Sequence, residues 1–281
     1  MRTPTMRTLR GGMCLAGLVL ASAGQAATRP LWEVGAGVAG LSLPNYRGSD
    51  ARQTLVLPLP YLIYRGEVLR ADREGLRGLL FDGERVQLNV SLNGSIPVDS
   101  EGDPVRRGMA DLDPAVELGP TLNVRLWRSA DRKARLEMRL PVRTAITVSS
   151  SPQQIGWLFS PNLLLDVRDP AGLVGWNLGV QAGPYFQDSE YNAYFYSVRP
   201  QEATAVRPAY DAGGGYSGSQ AMLTLSRRFP RWWIGGFLRY DTLAGAEIDD
   251  SPLVRRSDAV SAGLAVSWVF RESATRVEAS E

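Results

Sequence analysis

The sequence predicts an all-β fold: a transmembrane antiparallel up-and-down β-barrel of about twelve strands, or ten in an alternative count, preceded by a cleaved signal peptide. The first observation is the stretch DAVSAGLAVSWVF, Asp258 to Phe270, in which apolar side chains alternate with small ones. Successive side chains of a strand point to opposite faces, so one face here is apolar. Trp268 and Phe270 at its end are typical of a lipid-facing strand with an aromatic girdle. A soluble β-sandwich would show the same alternation and stays open as an alternative.

The second observation is the N-terminus. Arg2, Arg7 and Arg10 precede a short apolar run, Met13 to Leu20, and small residues follow it. This pattern is typical of a secretory signal peptide, cut here near Ala26, and its apolar core is too short to cross a membrane as a helix. We therefore assign residues 1–26 to the signal peptide, 27–270 to the barrel and 271–281 to a polar C-terminal tail.

The third observation is that no later stretch is apolar over the length that a membrane helix requires. The processed chain is then either a barrel or a soluble protein of an oxidising compartment. The single cysteine, Cys14, falls within the signal peptide, and the lack of disulfides favours a fold closed by backbone pairing. Removing the three signal arginines from 31 basic residues leaves 28 against 29 acidic ones, which gives no sign of a nucleic-acid partner.

The first candidate strands are Trp32 to Ser42, whose glycines permit close packing in a narrow lumen, and Arg52 to Tyr64. Pro58 and Pro60 in the second strand cannot donate hydrogen bonds, so they imply a bulge or a ragged edge. Two short apolar pieces follow, and they give twelve strands if both cross the membrane and ten if they form one bent strand. These pieces are Glu67 to Ala71 and Leu76 to Phe81.

Glu84 to Pro97 has the plainest alternation, with branched aliphatic residues outside and amides or charges inside, as a wet lumen in lipid requires. Further candidate strands are Val116 to Arg128, Arg135 to Val148, Gln154 to Arg168, Leu173 to Phe186, Gly218 to Phe229 and Trp232 to Thr242. Short and long connections alternate between them. Barrels of this class place short turns in the periplasm and long loops outside, so the last strand ends in the periplasm.

Three sets of residues are candidate functional sites. The lumen charges either tune ion passage or pair with one another in a filled interior; they are Arg85, Glu117, Arg125, Glu137, Arg139, Arg143, Asp166, Arg239 and Asp241. The aromatic residues of the longest irregular stretch, 189–210, form either an external recognition patch or a cover over the barrel mouth; they are Tyr191, Tyr194, Phe195 and Tyr196. The interfacial girdle is expected at strand ends; its members are Trp157, Trp232, Trp233, Trp268 and Phe270.

Catalysis and metal binding find little support. The chain has no histidine, which removes the Ser-His and acid-His arrangements of barrel hydrolases. With neither histidine nor a mature cysteine, a transition-metal site is improbable. The carboxylate pairs Asp249-Asp250 and Asp111/Asp113 lack calcium-loop spacing and are interpreted as solvated loop charge. We expect no catalytic residue, no metal and no cofactor.

Several local sequences resemble the MipA/OmpV family of outer-membrane proteins. They are Pro44-x-Tyr46-x-Gly48-Ser49-Asp50, Pro58-x-Pro60-Tyr61, Tyr64-Arg65-Gly66, Tyr194 to Val198 with Ala209-Tyr210, and Asp250 to Val254. The resemblance implies a barrel in the outer membrane of a Gram-negative cell, inserted by the barrel-assembly machinery and surrounded by outer-membrane lipid. For one member it further implies a scaffold that joins a murein hydrolase to a murein synthase. We therefore expect a non-enzymatic envelope scaffold, with a narrow channel or transporter for small solutes as the alternative.

Overall fold

The computed structural model describes residues 28–72 and 75–278, so the predicted signal peptide, 1–26, lies outside the described residues. Almost all of the regular structure is strand. The strands are β1 (Thr28–Pro30), β2 (Trp32–Pro44), β3 (Arg52–Arg65), β4 (Leu69–Asp72), β5 (Gly75–Asp82), β6 (Val86–Gly94), β7 (Ala115–Arg128), β8 (Ala134–Thr147), β9 (Gln154–Phe159), β10 (Asn162–Arg168), β11 (Trp176–Gln187), β12 (Gly215–Arg228), β13 (Trp232–Thr242), β14 (Asp258–Glu272) and β15 (Arg276–Glu278). One α-helix, α1 (Ser189–Tyr196), and two 3-10 turns, Pro170–Gly172 and Pro200–Glu202, complete the regular elements.

Strands β2 to β14 form one antiparallel sheet that closes on itself, because β14 pairs with β2. Strands β9 and β10 make a single crossing interrupted at Ser160 and Pro161, since both pair with β8 on one side and β11 on the other. The two short pieces predicted after the second strand are the separate strands β4 and β5. Counted in this way, the barrel has twelve strands, which confirms the higher of the two predicted counts.

The alternation of apolar with small or polar residues along the sequence corresponds to the outer and inner faces of the barrel wall. Val56 and Leu264 are 74% and 72% exposed on the outer face, whereas Ser261 and Ser267 on the inner face of β14 are fully buried. This is the pattern that hydrocarbon outside and a packed or wet lumen inside require. Among the described residues, no helix combines the length and the apolar character that a membrane crossing needs.

Both ends of the described chain differ from the predicted boundaries. Strand β14 continues beyond Phe270 to Glu272, with a bulge between Val269 and Arg271 where it leaves register with β2. Arg276–Glu278 then pairs with Thr28–Pro30, at the end of the barrel that carries the short turns. Within the segment predicted to be a polar C-terminal tail, residues 271–278 thus extend strand β14 and form a terminal sheet.

The closing contact between β2 and β14 depends on a glycine with no room for a side chain. A Cβ on Gly37 would overlap the carbonyl oxygen of Val266 and the side chain of Ser267, whereas a Cβ on Gly40 of the same strand meets nothing within 4 Å. Close approach of two backbones is a usual reason for glycine inside a strand. The small inner face of the last strand is therefore what lets the first strand close against it.

We predict that Gly37→Val lowers the stability of the barrel by about 3 kcal/mol, because overpacking against a backbone oxygen forces the two strands apart. Gly40→Val is the matched control, and it should leave the stability unchanged or raise it slightly. The measurement is the urea midpoint, together with the fraction of protein that migrates as the compact form on a gel without heating. Equal midpoints for the two variants would contradict the prediction.

Candidate functional site

The lumen contains two cavities that follow one another along the barrel axis. The central cavity, about 530 Å³, is lined by residues from the middle of the strands, including Asn89, Ser91 and Phe237. The periplasmic cavity, about 300 Å³, is lined by residues near the short turns, including Arg85 and Arg132. The two cavities share lining residues and are successive sections of one lumen; the shared residues are Arg77, Asn123, Asp166, Asn177, Ser226 and Trp233.

The central cavity has a polar side and an apolar side. Strands β6 to β12 contribute hydroxyl, amide and guanidinium groups; examples are Asn89, Ser91, Thr121, Asn123, Arg139, Arg143, Gln181 and Gln220. Strands β13, β14 and β2 contribute small or apolar groups, with the exception of Arg239; examples are Gly235, Phe237, Gly263, Ala265, Ala39 and Leu41. The cavity therefore offers different chemistry to the two ends of an elongated ligand.

The structure places the predicted lumen charges along this interior, where most of them are paired. Glu137 is 7% exposed and lies 3.4 Å from Arg135 and 3.2 Å from Arg139. Asp166 is 3.8 Å from the same Arg135. The predicted alternative of mutual pairing thus describes this group, in which two arginines balance two carboxylates.

Asp241 and Glu117 lie nearer the extracellular end of the lumen. Asp241, 3% exposed, accepts from Nε of Arg239 at 2.8 Å and from Nε of Arg47 at 3.2 Å. Glu117 accepts hydrogen bonds from the hydroxyl of Tyr191 and the amide of Asn93, each at 3.0 Å. These two carboxylates therefore bind side chains of the extracellular loops, Arg47 and Tyr191, in addition to residues of the barrel wall.

Arg143 and Arg125 are different, because no carboxylate of the described residues lies within ion-pair distance of either. Arg143 donates to the hydroxyl of Ser91 from Nη2 at 2.9 Å and from Nε at 3.2 Å, and it lines the central cavity. Arg125 donates to the carbonyl of Glu84 and lines the periplasmic cavity. A guanidinium held by neutral oxygens keeps its charge for another partner, because such contacts do not neutralise it.

The extracellular mouth is covered by a cap that the long loops form together. Its buried core contains Tyr46, Val98, Leu112, Tyr196, Val198, Ala212, Leu243, Ala246, Ile248 and Leu253. These residues come from four separate connections, which pack on one another as the core of a small domain does. The long loops are therefore a fixed part of the structure above the lumen.

Helix α1 lies within the cap, in the stretch for which the sequence predicted no regular structure. Asp188 caps it by accepting from the backbone amide of Tyr191 at 2.8 Å, and the same carboxylate accepts from the amide of Trp157 at 2.9 Å. Gly156 adopts φ +118, and a Cβ there would overlap the Asp188 carboxylate and the Tyr191 amide. An Asp at the N-cap and a glycine in strand β9 together seat the helix on the wall.

The aromatic residues of α1 are cap core and not an exposed patch. Tyr191 and Tyr196 are buried, and Tyr194 and Phe195 are half-buried against the same clusters. Of the two sequence-based alternatives, the structure shows the aromatic residues folded over the barrel mouth. Burial of these rings is possible because their hydroxyl groups have hydrogen-bond partners within the cap. For example, the hydroxyl of Tyr196 donates to the carbonyl of Arg47 at 3.0 Å.

Sequence reasoning missed Arg47 and Arg106, which tie the cap to the wall and to itself. Besides Asp241, Arg47 donates to the carbonyl of Ser217 at 2.9 Å and its guanidinium lies 4.5 Å from the centre of the Tyr185 ring. Arg106 donates to Ser100 Oγ and to the carbonyls of Phe195 and Ala110. Burial lowers the pKa of Arg106 from its usual value. Both residues belong to loops, whose side-chain directions strand alternation does not predict.

Four of the five residues predicted for the aromatic girdle lie on the outer face of the barrel. Trp157, Trp232, Trp268 and Phe270 are each about half exposed or more on the outer face, and Trp232 stacks on Trp268 at 5.7 Å between ring centres. The prediction for Trp233 is wrong. Adjacent residues of a strand face opposite sides, so Trp233 points inward, lines both cavities and contacts Tyr61 at 6.2 Å.

We predict that the cap loosens between about pH 10 and pH 12. Burial raises the pKa of Tyr196 to about 12 and also raises the pKa of Tyr46 and Tyr191. A group whose folded pKa is raised stabilises the fold fully below its unfolded pKa, about 10, and this stabilisation is lost as the pH rises through the folded pKa. The measurement is protease cleavage of the loops as a function of pH.

Tyr196→Phe should make this loss shallower, since one buried ionisable group is gone, and should cost about 1 kcal/mol at pH 8 through the lost bond to Arg47. Tyr64→Phe, at the opposite end of the barrel, is the control and should follow the parent profile. If Tyr196→Phe also followed it, the buried hydroxyl would not be the source of the pH dependence.

Comparison with known proteins agrees with this architecture. Residues 36–270 match the family described as MltA-interacting protein MipA. Outer membrane protein Omp26La of Vibrio anguillarum is 28% identical over 210 residues, covering 74% of this chain and 76% of the relative. Outer membrane protein OmpV of Vibrio cholerae is 29% identical over 212 residues, with the same coverage of each chain.

Among solved structures, an outer membrane channel of Pseudomonas putida F1 aligns with 88% of this chain and 98% of its own, at a TM-score of 0.43 and 11% identity. The family match spans nearly the whole described barrel, and both Vibrio relatives are outer membrane proteins. The chain is therefore an outer-membrane β-barrel that belongs to the MltA-interacting protein MipA family.

Proposed function

We propose that this barrel is a non-enzymatic transport protein that binds small organic anions in its lumen and passes them across the outer membrane. The observation that carries the proposal is the charge of the lining. The central cavity has four arginines and one carboxylate in its lining, and Glu137 and Asp241 pair with two of these arginines from outside it. The periplasmic cavity has twelve basic side chains and four carboxylates, and Glu33 outside it pairs with two of the twelve. A lumen of one sign with low-dielectric walls concentrates ions of the opposite sign.

Arg143 and Arg139 supply the central binding position. Both line the central cavity, and Arg143 keeps its charge without a carboxylate partner. The periplasmic arginines continue the positive surface toward the short turns, so an anion leaving Arg143 meets further guanidinium groups. Charged side chains that line a pore set the sign of the ions that pass it.

The volume of the central cavity limits the solute to a small molecule. Ligand pockets of about 300 to 1,000 Å³ enclose small molecules, and the 530 Å³ found here falls in that range. Neither a folded protein nor a polymer segment of any length fits such a space. The apolar side of the cavity, with Phe237 and Leu41, suits a solute that carries a hydrocarbon or aromatic part beside its charge.

A scaffold for murein enzymes is the second candidate, and the family description, which names interaction with MltA, favours it. The periplasmic side of the barrel presents short turns and the β1–β15 sheet, whose strands have three residues each. A murein hydrolase or synthase in the periplasm would meet this side. For either function, we propose that the barrel is surrounded by outer-membrane lipid and is inserted by the barrel-assembly machinery.

We predict that proteoliposomes take up benzenesulfonate faster than trimethylphenylammonium, an ion of similar size and opposite charge. Changing Arg139→Gln together with Arg143→Gln should reduce benzenesulfonate uptake about tenfold, equivalent to about 1.4 kcal/mol, because two central positive charges are lost. Arg256→Gln, an exposed loop residue, is the control and should not change uptake. Equal uptake of both ions by the parent protein would refute an anion-selective lumen.

The scaffold candidate has a separate test. Crosslinked envelopes should yield a murein hydrolase with the parent protein, and the yield should fall when β15 is removed by truncation after Ser273. A cap variant such as Tyr196→Phe, which leaves the periplasmic side intact, is the control. Retrieval that is independent of β15 would place the contact elsewhere, and no retrieval at all would leave transport as the single function.

A further inference from the structure

The barrel wall is incomplete beside β3. Strand β3 pairs with β2 along its whole length, from Arg52 to Tyr64, but on its other side only Tyr64 and Arg65 pair with β4. Among the described residues, no strand pairs with residues 52–63 of β3 on that side. The reason is that β4 is short: it has four residues, and its last residue, Asp72, pairs with the first residue of β5, Gly75.

The two prolines of β3 fall at positions that face this gap. Arg65 donates its amide to Leu31 next to β2, and the register between β2 and β3 continues without a shift. Alternate residues of an antiparallel strand bond to opposite neighbours, so odd-numbered residues of β3 bond to β2 and even-numbered residues face the gap. Proline has no backbone N–H, and at Pro58 and Pro60 the missing N–H would have pointed to the side on which β3 has no partner strand. Of the two sequence-based alternatives, this is the ragged edge and not the bulge.

The gap has a defined outline. At its base, β3, β4, β5 and β6 lie side by side, so β3 and β6 are three strand spacings apart, roughly 14 Å. At its top, the side-chain amide of Gln53 donates to the carbonyl of Pro97 at 3.2 Å, which brings β3 back to the chain that leaves β6. The opening is a wedge that narrows toward the extracellular side.

This wedge lies at the level of the membrane. Val56 and Leu62 on the outer face of β3 are 74% and 56% exposed, as lipid-facing residues are. Backbone groups facing hydrocarbon without partners cost several kcal/mol each, and irregular backbone is tolerated there only when it borders a water-filled cavity or protein. The remaining gap-facing N–H groups of β3, at Thr54, Val56 and Leu62, are thus consistent with an edge that borders the lumen.

The walls of the wedge are apolar, whereas the lumen behind it is basic. Leu55, Leu57 and Leu59 share the face of Leu41 and Ala39, which line the central cavity. On the far side Leu92 of β6 belongs to the lining of the same cavity, which brings the cavity to the edge of the wall. Across the cavity stand Arg139 and Arg143. A molecule passing here would slide a hydrocarbon part along leucines while its charge reached arginines.

We infer that this wedge is a lateral portal through which amphipathic anions, such as alkyl or aryl sulfonates and carboxylates, pass between the bilayer and the arginine-lined lumen. The portal rests on the proposed transport function and supplies an entry from the bilayer, in addition to entry from water at the ends of the lumen. A partner strand is the other kind of occupant for a free edge, but two prolines that cannot donate and apolar side walls favour a small amphipathic molecule.

The first test locates the hydrocarbon. In a Cys14→Ser background, a nitroxide is attached at Leu57→Cys and, as the control, at Met222→Cys, which lines the central cavity on β12, a strand paired on both sides. The label at position 57 should collide with lipid-dissolved oxygen and with spin-labelled lipid, and the label at 222 should contact only water-soluble reagents. If neither label met lipid, the wall would be closed and the portal overturned.

The second test measures passage. Leu57→Trp should slow entry of decanesulfonate from the bilayer several-fold while leaving benzenesulfonate, supplied from water, at the parent rate. Leu264→Trp, on the outer face of β14, is the control and should alter neither; all variants must show the compact gel form of the parent. An unchanged decanesulfonate rate in Leu57→Trp, or an equal fall for both probes, would overturn the portal. If the parent carried neither probe, the transport function would fail, and the nitroxide test would still decide whether the wall is open.

Discussion

A backbone N–H or C=O inside a bilayer needs a partner, either from the chain itself or from a water-filled cavity that the chain encloses. This requirement is met by closing β14 onto β2, and the closure in turn requires small residues where the two strands meet, Gly37 against Ser267. The same requirement explains the distribution of proline. A residue without an N–H is tolerated in β3 because its missing donor would have faced no strand. The same constraint thus accounts for the close contact between β2 and β14 and for the prolines at the unpaired edge of β3.

The interior follows from a second constraint, that charges taken into a narrow space need compensation. Carboxylates here rarely stand alone: Glu33 binds Arg65 and Arg228, each within 2.8 Å, and Asp241 binds two arginines. The lining contains more arginine side chains than carboxylates, so some arginines remain without a carboxylate partner among the described residues. The cap above this interior is held by hydrogen bonds from buried tyrosines and arginines and by an apolar core of its own. The four loops therefore pack as one fixed unit above the lumen.

The wall could be predicted from the sequence, because alternation is a local property of each strand. The positions of most strands, the exposed aliphatic face and the outward Trp232 and Trp268 all follow from this alternation, whereas it leaves open the choice between ten and twelve strands. The same rule should have excluded Trp233 from the girdle, since neighbours in a strand cannot share a face. The cap, the role of Arg47 and the ion-pair partners in the lumen could not be predicted in this way. They depend on which loops meet and on the register of strands far apart in the chain, and neither is encoded in a local pattern.

The pairing of β1 with β15 joins Thr28 to Glu278, residues from the two extremes of the described chain. Loop closure over such a distance is entropically unfavourable until intervening structure brings the ends together. The three-residue strands are too short to supply that driving force themselves. The small sheet therefore depends on the closed barrel, because the meeting of the first and last barrel strands is what brings its two strands together.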